Sequence, residues 1–241
     1  MWGIRHAGMW TRPHFDCGHV DMTTGENMKV VAIICQKGGV GKTNLSIHLA
    51  AAATMAGHQA AVIDCDPQGT ASSWGDRRQA APEVIVGQAQ RLPLMVETAR
   101  ANGADLIVID TPPQADSTAL AAARVSDIVL VPIRPAIWDL QAAQPSLLLA
   151  QVANKPAFIV MNGVRPNSNV GNEAAAGLAS QGAQIAPVML QQRVQFEYAV
   201  RDGHTVQETY PDEKAAEEVA QLYAWLCGHV GMPTCGQARA A

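Results

Sequence analysis

The stretch QKGGVGKTNLS, Gln36 to Ser46, sets two lysines among three glycines ahead of a threonine. A phosphate loop of the form GxxxxGK[ST] turns backbone N–H groups inward around phosphate oxygens, and its lysine reaches the β and γ phosphates. Gly41, Lys42 and Thr43 complete the end of that pattern, whereas its first position holds Gln36. Gly38 and Gly39 still permit close backbone approach, Lys42 can reach phosphate, and the Thr43 hydroxyl can ligate Mg²⁺ where the next helix starts. Lys37 is left over at the shoulder of the loop.

Two further segments supply carboxylates. AVIDCDPQGTASSW ends an apolar run with Asp64 and Asp66 two residues apart, a spacing that predicts both side chains on one side of a sheet, facing the crevice of the loop. Pro67, Gln68 and Gly69 form a turn signal, so one of the two aspartates could instead cap a turn or helix. In LIVIDTPP, Asp110 follows four apolar residues, the pattern of a buried strand that delivers one acid to a hydrated Mg²⁺.

The elements that must position these residues are legible as alternation. Apolar runs at Lys29–Cys35, Ala60–Asp64, Leu106–Asp110, Ile128–Pro132 and Ala157–Met161 are continuous, which predicts strands buried on both faces. Helical patterns fall between them at Thr43–Ala56, Arg91–Asn102, Asp116–Val125 and Asp139–Ala153, two of them stopped by Gly57 and Gly103. The alternation predicts an α/β fold: a doubly wound, mainly parallel sheet with helices on both faces. Val219, Leu222, Tyr223 and Leu226 mark the apolar face of a C-terminal helix with Asp212 as its expected N-cap, and Glu213, Glu217 and Glu218 argue for packing on the sheet over lying on a membrane.

At 241 residues, 48% hydrophobic and 16% charged, the chain suits one domain, expected over residues 28–228. Residues 1–27, rich in Trp, His and Met, lack paired ligand spacing and are expected to be a disordered leader, with Met28 a candidate start; residues 229–241 are expected to be a flexible tail. No apolar run reaches the roughly 18 residues that span a bilayer, so a cytoplasmic protein with no membrane partner is expected. Cys17, Cys35, Cys65, Cys227 and Cys235 show no CxxC spacing and are read as reduced thiols.

With KGGVGKT, DCDPQ and VIDTPP in this order, the chain resembles the ParA/MinD group of deviant-Walker ATPases over about Met28 to Leu226. It looks most like the small ParA proteins of plasmid partition, because no helix-turn-helix domain precedes the loop and QQRVQFEYAVRDG is similar to their C-terminal signature. The resemblance implies ATP and Mg²⁺ as cofactors and a homodimer with ATP sandwiched between subunits. Lys37 would then reach the phosphates of the other subunit, as an arginine finger does. Lys37, Lys42 and Asp66 would be catalytic, Asp66 by orienting the attacking water. Lys37, Gly38, Gly39, Val40, Gly41, Lys42, Thr43 and Asn44 would hold the phosphates. Thr43, Asp64 and Asp110 would serve the metal, Asp110 through water and Asp64 in support. In the adenine-binding segments, here VPIRPAIWD and VMNGV, the candidates are Pro132, Pro135 and Asn162; the prolines could equally only shape a loop.

The resemblance also implies non-specific DNA as a partner, nucleoid association, and a ParB-like or other cargo adaptor that stimulates hydrolysis. A net charge of −4 argues against a uniformly basic face. The local candidates are Arg165, Arg193, Arg201 and Lys214, which could also be a solvated surface; the arginine expected from longer ParA proteins falls near Gln195. An iron–sulfur electron donor like the nitrogenase iron protein would need cysteines that are missing between Cys65 and Cys227. A MinD-like membrane switch would need a basic amphipathic end, which GHVGMPTCGQARAA lacks. The nearer rival is a ParA-like protein that positions another cargo, such as a chemoreceptor cluster or a carboxysome.

Overall fold

The computed structural model describes residues 27–234. Five apolar runs form the middle of one sheet: β1 (Lys29–Ile33), β2 (Ala60–Asp64), β4 (Leu106–Asp110), β5 (Ile128–Ile133) and β6 (Ala157–Val164). Two short strands, β3 (Glu83–Val86) and β7 (Leu190–Gln191), complete the order β3-β2-β4-β1-β5-β6-β7, and every pairing is parallel. Both faces are covered, which is why the runs are continuously apolar. Along β4, Leu106 and Val108 enter one core with Leu45, Leu49 and Leu222, while Ile107 and Ile109 enter the other with Val96, Ala122 and Val129.

The helices are α1 (Lys42–Met55), α2 (Thr70–Arg77), α3 (Leu92–Ala101), α4 (Asp116–Val125), α5 (Ile137–Val152), α6 (Val170–Ser180), α7 (Val194–Arg201), α8 (Val206–Thr209) and α9 (Lys214–Val230). Residue Glu213, not Asp212, occupies the N-cap of α9, with no side-chain cap bond. That helix also runs past the boundary expected at 228: Gly231 closes it at φ 70, Met232 is buried, and His58 Nε2 lies 3.0 Å from the Pro233 carbonyl oxygen. Cys35, Cys65 and Cys227 are buried free thiols; Cys17, Cys235 and the leader lie outside the described residues. Among the described residues no helix is long and apolar enough to cross a membrane.

The chain order places the site. β1 and β4 are neighbours whose connections run to opposite sides, β1 through α1 to β2 and β4 through α4 to β5, and ligands of open α/β sheets bind at such a switch point beyond the carboxyl ends of the strands. Register puts Ile33, Asp64 and Asp110 level on neighbouring strands at that end.

Candidate functional site

The loop from Gln36 to Gly41 leaves β1 and feeds directly into α1. Gly39 at φ 73 and Gly41 at φ 93 adopt the left-handed conformation that turns successive N–H groups to one side. A Cβ on Gly41 would also overlap the Asn162 side-chain nitrogen. That nitrogen donates to the Val40 carbonyl at 2.7 Å, and Asn162 sits at a register shift of β6 where Gly163 has φ 65. A bulge thus aims Asn162 at the loop. Gly38 and Gly39 are exposed, while Lys42 is buried and its Nζ donates to the Lys37 carbonyl at 3.3 Å. Lys37 itself is half-buried at the mouth of the loop. Burial lowers the pKa of Lys42, opposed by Cys35, Asp110 and Asp66.

Asp110 closes the floor of the site. It is fully buried, its Oδ1 accepts from Ser46 Oγ at 3.3 Å, and Oδ2 has no hydrogen-bond partner among the described residues. Burial pushes its pKa up to about 7, against hydrogen bonding from the Thr43 hydroxyl. An orphaned carboxylate oxygen beside a hydroxyl at a helix start fits a hydrated divalent cation, whose charge would offset the burial. Ser46 is a residue that sequence reasoning missed; its position four after Lys42, on the same face of α1, was the available signal.

Asp64, expected to support the metal, makes its hydrogen bonds to the start of α2 and the turn before it. Its Oδ2 accepts from Ser72 N at 2.8 Å and Ser72 Oγ at 2.7 Å, and its Oδ1 accepts from Asp66 N at 3.1 Å. Both oxygens are committed to the start of α2 and the turn before it, so the capping alternative holds for this residue. Asp66 lies beyond the end of β2, so strand alternation does not place it. A turn does: Gly69 N donates to the Asp66 carbonyl and Gln68 N to Asp66 Oδ1, each at 2.9 Å. The carboxylate stays half-exposed, close enough for its charge to act on Lys42.

The family model described as the CobQ/CobB/MinD/ParA nucleotide binding domain matches residues 31–206, which include this loop, Asp66 and Asp110. The chain belongs to that CobQ/CobB/MinD/ParA family. Among curated relatives, "Maintenance of carboxysome distribution protein A" of Gloeobacter kilaueensis is 42% identical over 113 residues, 46% of this chain and 52% of that protein. The chain thus matches about half the length of that relative. The protein of the same name from Halothiobacillus neapolitanus is 26% identical over 203 residues, covering 80% of this chain and 93% of its own. In fold, the chain superposes on the septum site-determining protein MinD of Pyrococcus horikoshii, complexed with Mg-ADP, with a TM-score of 0.70 at 15% identity, covering 85% and 98% of the two chains.

Other positions in this ParA/MinD-type chain sort less uniformly. Pro132 is buried within β5, where the pairing with β1 has already ended at Leu130, so its missing N–H removes no ladder bond. Pro135 is half-buried in the following loop. Among the expected DNA contacts, Arg193 is held in a part-buried ion pair. Its guanidinium pairs with Glu218 Oε1 at 2.7 and 3.1 Å and donates to Gln191 Oε1 at 2.7 Å, leaving its side chain 17% exposed. Glu218 Oε2 also accepts from Gln191 N at 3.0 Å, so this pair fixes the β7 edge. Removing it from Glu218 to reach a phosphate would strand a buried carboxylate. Arg165, Arg201 and Lys214 are exposed, with Arg201 loosely paired to Asp202 at 3.2 Å.

His48 ties the loop helix to the C-terminal segment. Its Nδ1 lies 2.7 Å from the Asn44 carbonyl, its Nε2 accepts from Val206 N at 3.2 Å, and its ring packs edge-on against Phe196 at 5.2 Å. Burial lowers its pKa to about 4. A group held neutral in the fold but free to charge when unfolded stabilises above its unfolded pKa, and that stability is lost as pH falls from about 6.5 toward the folded value. Asp110 acts in the opposite sense, because its raised pKa favours the folded state as pH drops through about 7. Between pH 7 and 5 the wild type should therefore lose about 2 kcal/mol more than His48→Gln, in which the Asp110 contribution persists unchanged. Urea denaturation of both proteins at the two pH values checks this difference.

Proposed function

We propose that this chain is an Mg²⁺-dependent ATPase that pairs with a second copy across ATP, binds DNA in that state, and positions a cargo through an adaptor that stimulates hydrolysis. The observation that carries the reading is a loop with a buried lysine inside it and a second lysine at its mouth, above a buried carboxylate oxygen that has no hydrogen-bond partner among the described residues. Mg²⁺, when bound, supplies positive charge to the β and γ phosphates. Asp110 and the Thr43 hydroxyl hold the ion and its water shell, Lys42 neutralises phosphate within the subunit, and the loop N–H groups orient the phosphates. Asp66 orients the attacking water, and Lys37 meets the phosphates of the facing copy. Pro132, Pro135 and Asn162 border the adenine; the Asn162 side-chain oxygen remains available as an acceptor, since its nitrogen is bonded to Val40.

Two features bear on the cargo. The ParA/MinD membership supports a plasmid or chromosome, whereas both relatives described above carry carboxysome distribution in their names. The second observation favours a protein compartment over a plasmid. An adaptor for a plasmid must itself bind a DNA site, so an adaptor that stimulates hydrolysis without affinity for DNA supports the compartment reading.

Anisotropy titrations with unrelated DNA duplexes test the DNA arm. Binding should need ATP, vary little with sequence, and fall with salt, because each phosphate contact steepens the dependence of log K on log salt by roughly 0.9. Pairing doubles the contacts offered by Arg165, Arg201 and Lys214, so the triple alanine variant should bind at least about tenfold more weakly at about 0.1 M salt while still dimerising. Equal binding with ADP and ATP, or full affinity in the variant, rejects this surface.

A further inference from the structure

A groove between the last turns of α1 and the first half of α9 has no part in the nucleotide site. It encloses about 390 Å³. One wall carries Ala52 and Met55, and the other carries Ala216, Ala220 and Ala224, which recur every fourth residue and so form one stripe about 12 Å long. Met55 is 54% exposed, a large apolar side chain left at the rim. Such a stripe alone would signal no more than room for close packing.

Gln207 adds an independent demand. This α8 residue lines the groove yet is only 7% exposed, and its Nε2 donates to the His48 carbonyl at 3.3 Å. Its Oε1 is buried with no hydrogen-bond partner among the described residues. A buried carbonyl oxygen left without a donor carries the full cost of its desolvation, and an occupant that offers an N–H or O–H removes that cost. The rim is acidic: Glu217 lines the groove, and exposed Asp212 and Glu213 lie within about a turn and a half of it, beside Lys214.

We propose that this groove docks a cation-flanked amphipathic helix of a partner protein, about two turns long, whose apolar face lies on the alanine stripe and whose donor group satisfies Gln207. Small residues let a helix backbone approach closely, the stripe matches two turns in length, and lysine or arginine flanks complement Glu217 and Glu213. The rim at Met55 lies about 20 Å along α1 from Lys42, so occupancy leaves the phosphate loop uncovered. The inference goes beyond the ATPase reading and does not depend on it.

The probe is a fluorescein-labelled helix of about 16 residues built from leucine, alanine and lysine, titrated by anisotropy into the full chain without nucleotide, beside a counterpart with glutamate for lysine. The basic helix should bind with a Kd of about 10–100 μM and the acidic one at least tenfold more weakly. Ala220→Trp fills the groove from an exposed position and should weaken the basic helix at least tenfold with an unchanged melting temperature. Glu217→Lys should weaken it about fivefold at low salt. Equal binding by Ala220→Trp, equal binding of both helices, or no binding at 1 mM overturns the proposal. Self-association abolished by Ala220→Trp would assign the groove to a second copy of this chain and overturn it as well.

Discussion

Asp66→Ala is expected to bind ATP and dimerise like the wild type while hydrolysing it about 10²–10⁴-fold more slowly. The carboxylate is held by the Asp66–Gly69 turn at the edge of the phosphate site, half-exposed and within range of the Lys42 charge. Nothing that fixes the loop depends on it: Gly41 and Asn162 lock the loop, and Asp64, not Asp66, holds α2. On the proposed role of Asp66 towards the attacking water, its loss therefore removes that group and leaves the binding groups in place. Turnover at the wild-type rate would reduce Asp66 to a turn cap.

Lys37→Ala is expected to separate ATP binding from everything that follows it. Lys42 is buried inside the loop and contacts the Lys37 backbone, which the substitution retains. Nucleotide affinity should then stay within about threefold, a change of less than 1 kcal/mol. Turnover should fall by about 10³-fold or more, the scale of a missing arginine finger, as the proposed role of Lys37 towards the facing copy requires. Isothermal titration with ATP and a phosphate-release assay read the two effects separately. A parallel loss in both would make Lys37 an ordinary ligand of its own nucleotide.

The parts of the fold legible in the sequence are those whose residues face one environment throughout. Leu106–Asp110 and Ala60–Asp64 are apolar on both faces, and the structure has them with those bounds. Edge elements carry no such signature. In β3 the burial of Glu83–Val86 is mixed, and β7 is two residues held by Glu218, a contact across 27 positions that no local pattern contains. The loop and Asp110 were readable because glycine conformations and a buried acid are local demands. The contacts of Asp64 and Arg193 were not readable in the same way: Asp64 is engaged by Ser72 across a turn, and Arg193 by Glu218 from another helix. Residue type could show that they were charged, and only the fold shows what already satisfies them.

Sedimentation in Mg²⁺-ATP of Asp66→Ala beside the double variant Asp66→Ala, Lys37→Ala tests the central claim most directly, since slow hydrolysis keeps the nucleotide intact during the run. The single variant should sediment at twice the 25.5 kDa monomer mass with ATP and as a monomer with ADP, and the double variant as a monomer in both. A double variant that still doubles its mass with ATP, or a single variant that dimerises equally with ADP, would contradict an ATP-dependent pairing through Lys37.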